Sequence, residues 1–183
     1  DGTMPWSFPE VTEAVRAAML LRIRLLPYLY TAFAQYRDEG TPPFRAMVLE
    51  DGMVSGVGDR AAGGLDSTAN PYALAAAAEV HDQYMMGPSL LVAPLFAGQT
   101  QRQVQLPAGR WFDFHTGAEA GAGPGEITVA ADVETVPILV RNGGIVPLMP
   151  ALLQAPEPGQ QKDLYLRYYG DGERHMRVYD EEL

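Results

Sequence analysis

The amino-terminal forty residues place apolar side chains at helical spacing. From Val11 to Phe33 these side chains recur every three or four positions, which is typical of a helix that packs one face on a core. Ser7 and Glu10 have the spacing of a capping box, in which each side chain bonds the other's free backbone N–H. The pattern therefore predicts a helix that begins near Ser7 and ends near Arg37.

Pro27 lies inside this helical segment and has no backbone N–H, so we expect a kink or a break into two helices near Leu26. The short apolar run at 44–50 is bounded by turn-forming residues and predicts a buried strand. Residues 51–70 are rich in glycine and have no periodicity, which predicts a mobile loop. The alanine-rich residues 73–84 predict a further helix.

From Ser89 onward, short runs of β-branched and aromatic residues alternate with Gly, Pro and Asn, which is typical of an all-β unit. The predicted strands are residues 90–93, 103–106, 111–114, 127–130, 137–140, 145–148, 164–169 and 175–179. The last two flank residues 170–173, which resemble a hairpin turn. Residues 154–162, rich in proline and glycine, predict a linker. Helices followed by strands indicate an α+β chain with segregated units.

Composition and charge narrow the class of protein. The chain has 183 residues, 47% of them apolar, which is enough for a hydrophobic core. Its formal net charge of −10 disfavours nucleic acid and anionic membrane surfaces as partners. It has no cysteine, so disulfides, thiolate metal sites and a cysteine nucleophile are excluded. Apolar runs are far shorter than the roughly 18 to 20 residues that span a bilayer.

Histidine and serine chemistry finds little support. The three histidines, His81, His115 and His175, do not share the i, i+3 or i, i+4 spacing that presents two metal ligands on one helix face. Neither a nucleophile elbow around a serine nor a phosphate-binding glycine loop occurs. We therefore predict no metal site and no cofactor.

Two neighbouring carboxylates lie where the predicted strand 44–50 ends. Glu50 and Asp51 would face an active site if that strand belonged to a (β/α)8 barrel, and carboxylates there can serve as the acid and nucleophile of a glycosidase. The alternative is a structural acid in an Asp-Gly turn. Asp82, at the end of the second predicted helix, could equally bond backbone groups or a substrate.

The aromatic segment 111–115 is a predicted strand, in which successive side chains point to opposite faces. Phe112 and Phe114 should therefore share the face opposite to Trp111, and we expect one face in the core and the other partly exposed. An exposed Trp111 could stack on a sugar ring, whereas a buried Trp111 would be an ordinary core residue.

Several segments, taken in order, resemble the C-terminal part of glycoside hydrolase family 31, the retaining α-glucosidases and α-xylosidases. The segment at 82–94, DQYMMGPSLLVAP, carries the resemblance most strongly. The other matching segments are residues 4–8, 24–30, 40–45, 106–117 and 136–148. The resemblance covers most of the chain and fails mainly at residues 51–70.

The resemblance implies a specific architecture, truncated at both ends. Residues 1–88 would be the C-terminal remnant of a catalytic (β/α)8 barrel, including its helices and the strand at 44–50. Residues 89–155 would form a proximal C-terminal β-sandwich, and residues 156–183 the start of a distal β-domain. A helix built to cover barrel strands should expose apolar surface without them, so we expect self-association or partial disorder of residues 1–80.

The resemblance also limits the functional prediction. The family's nucleophile, its acid/base residue and its substrate-holding arginine and histidine lie earlier in the barrel, so no catalytic residue is assigned and Glu50 and Asp51 lose support. The leading hypothesis is a part of an α-glycoside hydrolase that acts on terminal α-glucosyl or α-xylosyl residues, bound through the missing barrel and inactive as this chain alone. The alternatives are a β-sandwich module that binds carbohydrate, or one that only braces the barrel.

Overall fold

The computed structural model describes Met4 and residues 7–50, 80–96, 98–130, 135–152 and 163–179. Within these residues two α-helices are followed by eight strands, so the α+β order expected from the sequence is confirmed. The predicted loop at 51–70 and the predicted linker at 154–162 lie outside the described residues, as does most of the predicted helix at 73–84.

The amino-terminal helical segment is broken where Pro27 predicts it. Helix α1 (Thr12–Arg24) ends one residue before Leu25, and α2 (Leu26–Glu39) begins one residue after it. Proline is tolerated in the first turn of α2 because that turn's N–H groups have no helical partner. Gly40, in the left-handed conformation with φ of 77°, ends α2.

The predicted capping box does not form. A 3₁₀ turn (Pro9–Val11) precedes α1, and Val11 occupies the N-cap without a side-chain cap. The Ser7 hydroxyl instead accepts a hydrogen bond from the backbone N–H of Met4 at 3.1 Å. The spacing of Ser7 and Glu10 was therefore a false signal, because prolines and the 3₁₀ turn shift the start of the helix.

The strands form two antiparallel sheets. The strands are β1 (Phe44–Ala46), β2 (Tyr84–Met86), β3 (Leu90–Val92), β4 (Gln101–Asp113), β5 (Glu119–Ala130), β6 (Ile138–Arg141), β7 (Gly144–Leu148) and β8 (Tyr165–Tyr169). Six of them make one sheet in the order β1-β2-β3-β6-β4-β5, while β7 and β8 pair separately. The six-stranded sheet thus pairs β1 with strands that follow it in the sequence only after the long segment between β1 and β2.

Two strand predictions and one helix prediction need correction. The strand expected at 44–50 ends at Ala46 and continues as a 3₁₀ turn (Met47–Leu49). The helix expected to reach residue 84 gives way to β2, which pairs with β1 on one side and β3 on the other. Residues 175–179 are not a strand; Tyr179 instead donates its N–H to the hydroxyl of Thr31 on α2, at 3.2 Å. In each case contacts remote in sequence override the local pattern.

The assignment of the 44–50 strand to a barrel also needs correction. Strand β1 pairs antiparallel with β2, with Phe44 opposite Met86 and Ala46 opposite Tyr84. Barrel strands pair in parallel, so in the described part of the chain β1 is a strand of the antiparallel sheet. The boundary expected between residues 88 and 89 falls between β2 and β3, which pair as neighbours; the three-domain division itself stays a prediction.

The central strands of the six-stranded sheet are covered on both faces. Leu90 and Val92 belong to a cluster that includes Tyr28 of α2, whereas Leu91 belongs to a second cluster with Trp111. This explains why β3 and β6 are continuous apolar runs instead of alternating ones. The helices, β7 and β8 therefore contribute to one core, and β4 and β5 close the other.

Candidate functional site

Tyr28 joins α2 to the tight turn between β2 and β3. Its side chain is fully buried, and its hydroxyl donates to the carbonyl oxygen of Met86 and accepts from the N–H of Ser89, both at 2.9 Å. Burial raises the pKa of the Tyr28 phenol, although the backbone hydrogen bond from Ser89 opposes that effect. Tyr28 is thus a neutral structural hydrogen-bonding group between a helix and a strand turn.

Glu50 links two arginines from separate strands. Arg45 of β1 donates to its Oε1 from Nη2 at 2.6 Å and from Nε at 2.9 Å, while Arg141 of β6 donates to its Oε2 at 2.5 Å. The side chains of Glu50 and Arg45 are 8% and 10% exposed, so this ion pair is largely removed from solvent. Both carboxylate oxygens are engaged, which leaves Glu50 poorly placed to attack or protonate a substrate.

We call Arg45, Glu50 and Arg141 the arginine–glutamate triad. Arg45 also bonds the backbone of two neighbouring loops. Its Nη1 donates to the carbonyl oxygens of Pro42 at 3.2 Å and Gly87 at 3.1 Å. One guanidinium therefore binds the end of the α2–β1 loop, the β2–β3 turn and Glu50. This planar, multi-donor geometry is specific to arginine.

A small open cleft lies beside the triad. Its volume is 230 Å³, and its walls include Gln35 and Glu39 of α2 together with Thr41. Small-molecule sites usually measure roughly 300–1,000 Å³ and are mainly apolar. Of the two carboxylates that line this polar cleft, Glu39 and Glu50, the second is already paired with Arg45 and Arg141, whereas a retaining glycosidase needs one carboxylate free to attack the sugar.

The remaining predicted carboxylates have structural partners or lie outside the described residues. Asp82 pairs its Oδ2 with Nη2 of Arg102 at 2.8 Å, and the same nitrogen donates to the Asp82 carbonyl oxygen at 2.6 Å. The buried Arg102 guanidinium also lies 5.3 Å from the centre of the Phe96 ring. Of the two interpretations of Asp82, the structure supports the one based on local bonding. Asp51 lies outside the described residues.

Gln83, the residue next to Asp82, bonds the backbone of β4 with its side-chain amide, in the way that a neighbouring strand would with its backbone. Gln83 is buried, and its side-chain amide donates to the carbonyl oxygen of Gln105 at 2.7 Å and accepts from the N–H of the same residue at 2.9 Å. The amide thus attaches the segment before β2 to β4. The Asp-Gln pair that contributes to the family resemblance has a scaffold role here.

Trp111 is a core residue. It is 0% exposed, and its indole N–H donates to the carbonyl oxygen of Pro107 at 2.9 Å. Phe112 and Phe114 share the opposite cluster, as the strand period predicts, but they are buried too, so the expectation of one exposed face was wrong. The guanidinium of Arg141 lies 5.2 Å from the Trp111 ring centre, in the position that a sugar ring would need for stacking.

The histidines support no metal site. Nε2 of the exposed His115 lies 3.0 Å from the Val136 carbonyl oxygen. Across the part of the chain that the structure describes, no group of three potential ligands comes together. In the same residues, no helix is long and apolar enough to cross a membrane.

Sequence reasoning missed several residues that make buried or partly buried polar contacts, among them Tyr28, Arg45, Gln83 and Arg141. All four lie within segments that carried the family resemblance, which was the available signal. Their spacing along the chain showed no motif, because Glu50 and Arg141 are 91 residues apart.

Comparison with protein families identifies the chain. The family model described as the glycosyl hydrolases family 31 TIM-barrel domain matches residues 1–32, and the glycosyl hydrolase family 31 C-terminal domain matches residues 66–146. These two matches together span more than half of the sequence. The chain belongs to glycosyl hydrolase family 31.

Individual relatives agree with this assignment. The chain is 27% identical to alpha-glucosidase 2 of Bacillus thermoamyloliquefaciens over 97% of its own length and 20% of the relative. It is also 27% identical to an alpha-xylosidase of Saccharolobus solfataricus, over 97% of the chain and 22% of the relative. The chain therefore spans about a fifth of the length of these curated relatives.

A solved structure shows the same arrangement of elements. The GH31 dextranase of Flavobacterium johnsoniae, complexed with glucose, matches with a TM-score of 0.72 and 26% identity. The match covers 93% of this chain and 19% of the dextranase chain. The helices and the antiparallel sheet of this chain thus have a counterpart in that dextranase.

Proposed function

We propose that this chain is the C-terminal part of a retaining α-glycoside hydrolase that acts on terminal α-glucosyl or α-xylosyl residues. Its helices would complete a catalytic (β/α)8 barrel, and its sheet would be the adjoining β-sandwich. The family membership and the alpha-glucosidase and alpha-xylosidase relatives support this proposal. In this proposal the described residues brace the barrel, and the reacting groups belong to another part of the parent protein.

The single observation that carries the bracing role is the engagement of Glu50. A retaining mechanism needs two carboxyl groups about 5 to 5.5 Å apart, one of them free to attack the sugar. Glu50 instead has its two oxygens on Arg45 and Arg141 and fastens β1 to β6. Its charge holds the scaffold, so Glu50 is not expected to act as a catalytic carboxylate, and in this proposal the isolated chain is inactive.

A carbohydrate-binding module is the weaker candidate. That hypothesis depended on Trp111 as an exposed stacking surface, and Trp111 is buried beneath Arg141. Calorimetric titration of the chain with isomaltose and xylose oligosaccharides distinguishes the bracing role from a carbohydrate-binding module. Saturable binding would favour a module, and an absence of heat is expected for a brace.

The proposed chemistry is tested on the longer parent protein. Proton NMR during hydrolysis of an aryl α-glucoside and an aryl α-xyloside reports the configuration of the first sugar released. We expect the α-anomer from at least one of them, because double displacement retains configuration. Initial release of the β-anomer would contradict the retaining mechanism.

A further inference from the structure

The segment after β8 turns back and crosses helix α2. Residues 175–179 pair with no strand in the part of the chain that the structure describes. Tyr179 nevertheless bonds α2 twice: its backbone N–H donates to the Thr31 hydroxyl at 3.2 Å, and its own hydroxyl donates to Oδ2 of Asp38 at 3.0 Å. We call residues 175–179 the strap. Its last residue attaches it to the helix.

The two acceptors lie on one side of α2. Thr31 and Asp38 are seven positions apart, which is close to two full helical turns, so their side chains project in nearly the same direction. The Thr31 side chain is fully buried, whereas Asp38 is exposed. Tyr179 therefore bonds α2 at one buried and one exposed position, and the strap follows the helix over two turns.

Met176 gives the strap an apolar contact as well. Its partly buried side chain packs against the core cluster that contains Tyr28 of α2 and Tyr169, the last residue of β8. The strap is thus bound by a packed side chain near its beginning and by two hydrogen bonds at its end. These contacts join it to the core that the helices share with β7 and β8.

Charge complements this attachment. Asp38 accepts a hydrogen bond from Arg37 at 2.7 Å as well as the one from Tyr179, and the two bonds hold the pKa of Asp38 below its ordinary value. A hydrogen bond with Tyr179 raises the pKa of Arg177, and the charges of Asp38 and Glu39 add to that effect. The strap thus brings a cation to the last turn of α2, where the free carbonyl groups carry partial negative charge.

The turn before the strap is fixed independently of the strap. Its Asp171 carboxylate pairs with Nη2 of Arg110 on β4 at 2.7 Å, and every residue of β8 is paired with β7. Detachment of the strap removes two hydrogen bonds and one packed side chain, but no bond of the β7–β8 ladder. Segments held by so few contacts open locally at a lower free energy than the whole fold.

We infer that the strap is a latch, which detaches from α2 and reattaches while both sheets stay folded. Its attached state restrains the carboxyl-terminal part of α2, residues 31–39. That part includes Gln35 and Glu39, which line the cleft beside the arginine–glutamate triad, so the latch also controls how firmly one wall of the cleft is held. The inference is independent of the proposed function, because every group that it uses belongs to this chain.

The test is native-state hydrogen exchange of the full 183-residue chain, resolved to single amides, in low concentrations of urea. The Tyr179 amide reports the latch because its N–H donates to Thr31, and the amides of β8 report global unfolding. We expect the Tyr179 amide to exchange roughly tenfold or more slowly than an unstructured amide, yet much faster than the β8 amides. An unprotected Tyr179 amide would overturn the inference, because the strap would then not attach.

A core variant distinguishes a latch from a segment that opens only with the whole fold. Val104→Ala, in the second core cluster, should speed exchange of the β8 amides by roughly tenfold or more, because a buried side chain is truncated. A latch opens without disturbing Val104, so the Tyr179 amide should keep its wild-type rate. An equal acceleration of the Tyr179 amide would overturn the inference.

Two variants remove the bonds of the latch one at a time. Thr31→Val and Tyr179→Phe should each speed exchange of the residue-179 amide by roughly threefold or more, and exchange of the amides of residues 35–39 should rise with it. The matched control is Tyr165→Phe, which removes the hydroxyl of an exposed tyrosine on β8 and should change neither rate. Wild-type exchange of residues 35–39 in both latch variants would show that the strap does not restrain α2, and would contradict the inference.

Discussion

The Tyr28 hydroxyl lies 2.6 Å from the position that a Cβ atom on Gly87 would occupy. Gly87 has φ of 63°, and its N–H donates to the Pro43 carbonyl oxygen at 2.6 Å. Glycine is thus required here twice, by the backbone conformation and by the ring that fills the space beside it. The β2–β3 turn and α2 are fitted to each other at this point.

Substituting Gly87 by alanine should therefore be strongly destabilising. The left-handed conformation alone costs a non-glycine residue on the order of 1–3 kcal/mol, and the clash with the fully buried Tyr28 ring adds to that cost. Urea unfolding measures the change. Gly117→Ala is the matched control, because Gly117 has φ of 76° with no atom within 4 Å of its Cβ position. Equal losses for both variants would show that the Tyr28 contact contributes nothing.

Tyr28→Phe should lower the free energy of unfolding at neutral pH by about 1–3 kcal/mol. The substitution keeps the ring and removes the hydroxyl that bonds the Met86 carbonyl oxygen and the Ser89 N–H. Hydrogen exchange at Ser89 gives a local readout, since its amide would lose its partner. Wild-type stability together with an unchanged Ser89 exchange rate would contradict the proposed linking role.

The same tyrosine should make the wild type sensitive to alkali. Burial raises the pKa of Tyr28 above the ordinary tyrosine value of about 10, so the unfolded chain loses this proton first as pH rises. Stability is then complete below pH 10 and falls above it, by up to about 1.4 kcal/mol per pH unit for this group. Burial also raises the pKa of Tyr84 and Tyr169, which should leave a smaller slope in Tyr28→Phe. Identical alkaline slopes for wild type and variant would refute this explanation.

Glu50→Gln should destabilise the chain by roughly 3 kcal/mol, because it leaves the buried Arg45 guanidinium without its counter-charge. Asp171→Asn is the control, as Asp171 pairs with Arg110 on the surface with 78% of its side chain exposed, and its effect should stay below about 1 kcal/mol. In the parent protein, Glu50→Gln should leave kcat/KM per folded molecule within about threefold of wild type. A loss of a hundredfold or more without unfolding would instead place Glu50 in the chemistry.

The isolated chain should self-associate through the exposed apolar side chains of α2, among them Leu26, Tyr30 and Phe33. Apolar patches of this kind drive association when their natural partner is absent. Size-exclusion chromatography with light scattering should show oligomers that shift towards monomer in Tyr30→Ser/Phe33→Ser. A monodisperse wild-type monomer at high micromolar concentration, with α1 protected from hydrogen exchange, would contradict this expectation.

Local chemistry explains which features could be predicted from the sequence. Pro27 predicted the break between α1 and α2 because its missing N–H acts within one helical turn. The alternation of Trp111 and Phe112 followed from the strand period, although burial on both sides did not. Strand β2 was missed because an alanine-rich stretch precedes it, and only its pairing with β1 and β3 makes it a strand.

The polar contacts could not be predicted, for a different reason. Glu50 was considered as a catalytic acid on its position at a strand end, whereas its role depends on Arg141, which folding brings to it from 91 residues away. Neither residue spacing nor composition indicates that Glu50 and Arg141 lie within hydrogen-bond distance of each other. The family resemblance marked the right segments without showing what their side chains do.

The most direct test of the bracing role is a comparison of hydrolysis rates for this chain and for its longer parent on aryl α-glucoside and aryl α-xyloside substrates. We expect the parent to cleave at least one of them and the isolated chain to release no aryl group above the uncatalysed rate. Turnover by the isolated chain, abolished by substituting one of its own carboxylates, would contradict the conclusion that its described residues support catalysis without performing it.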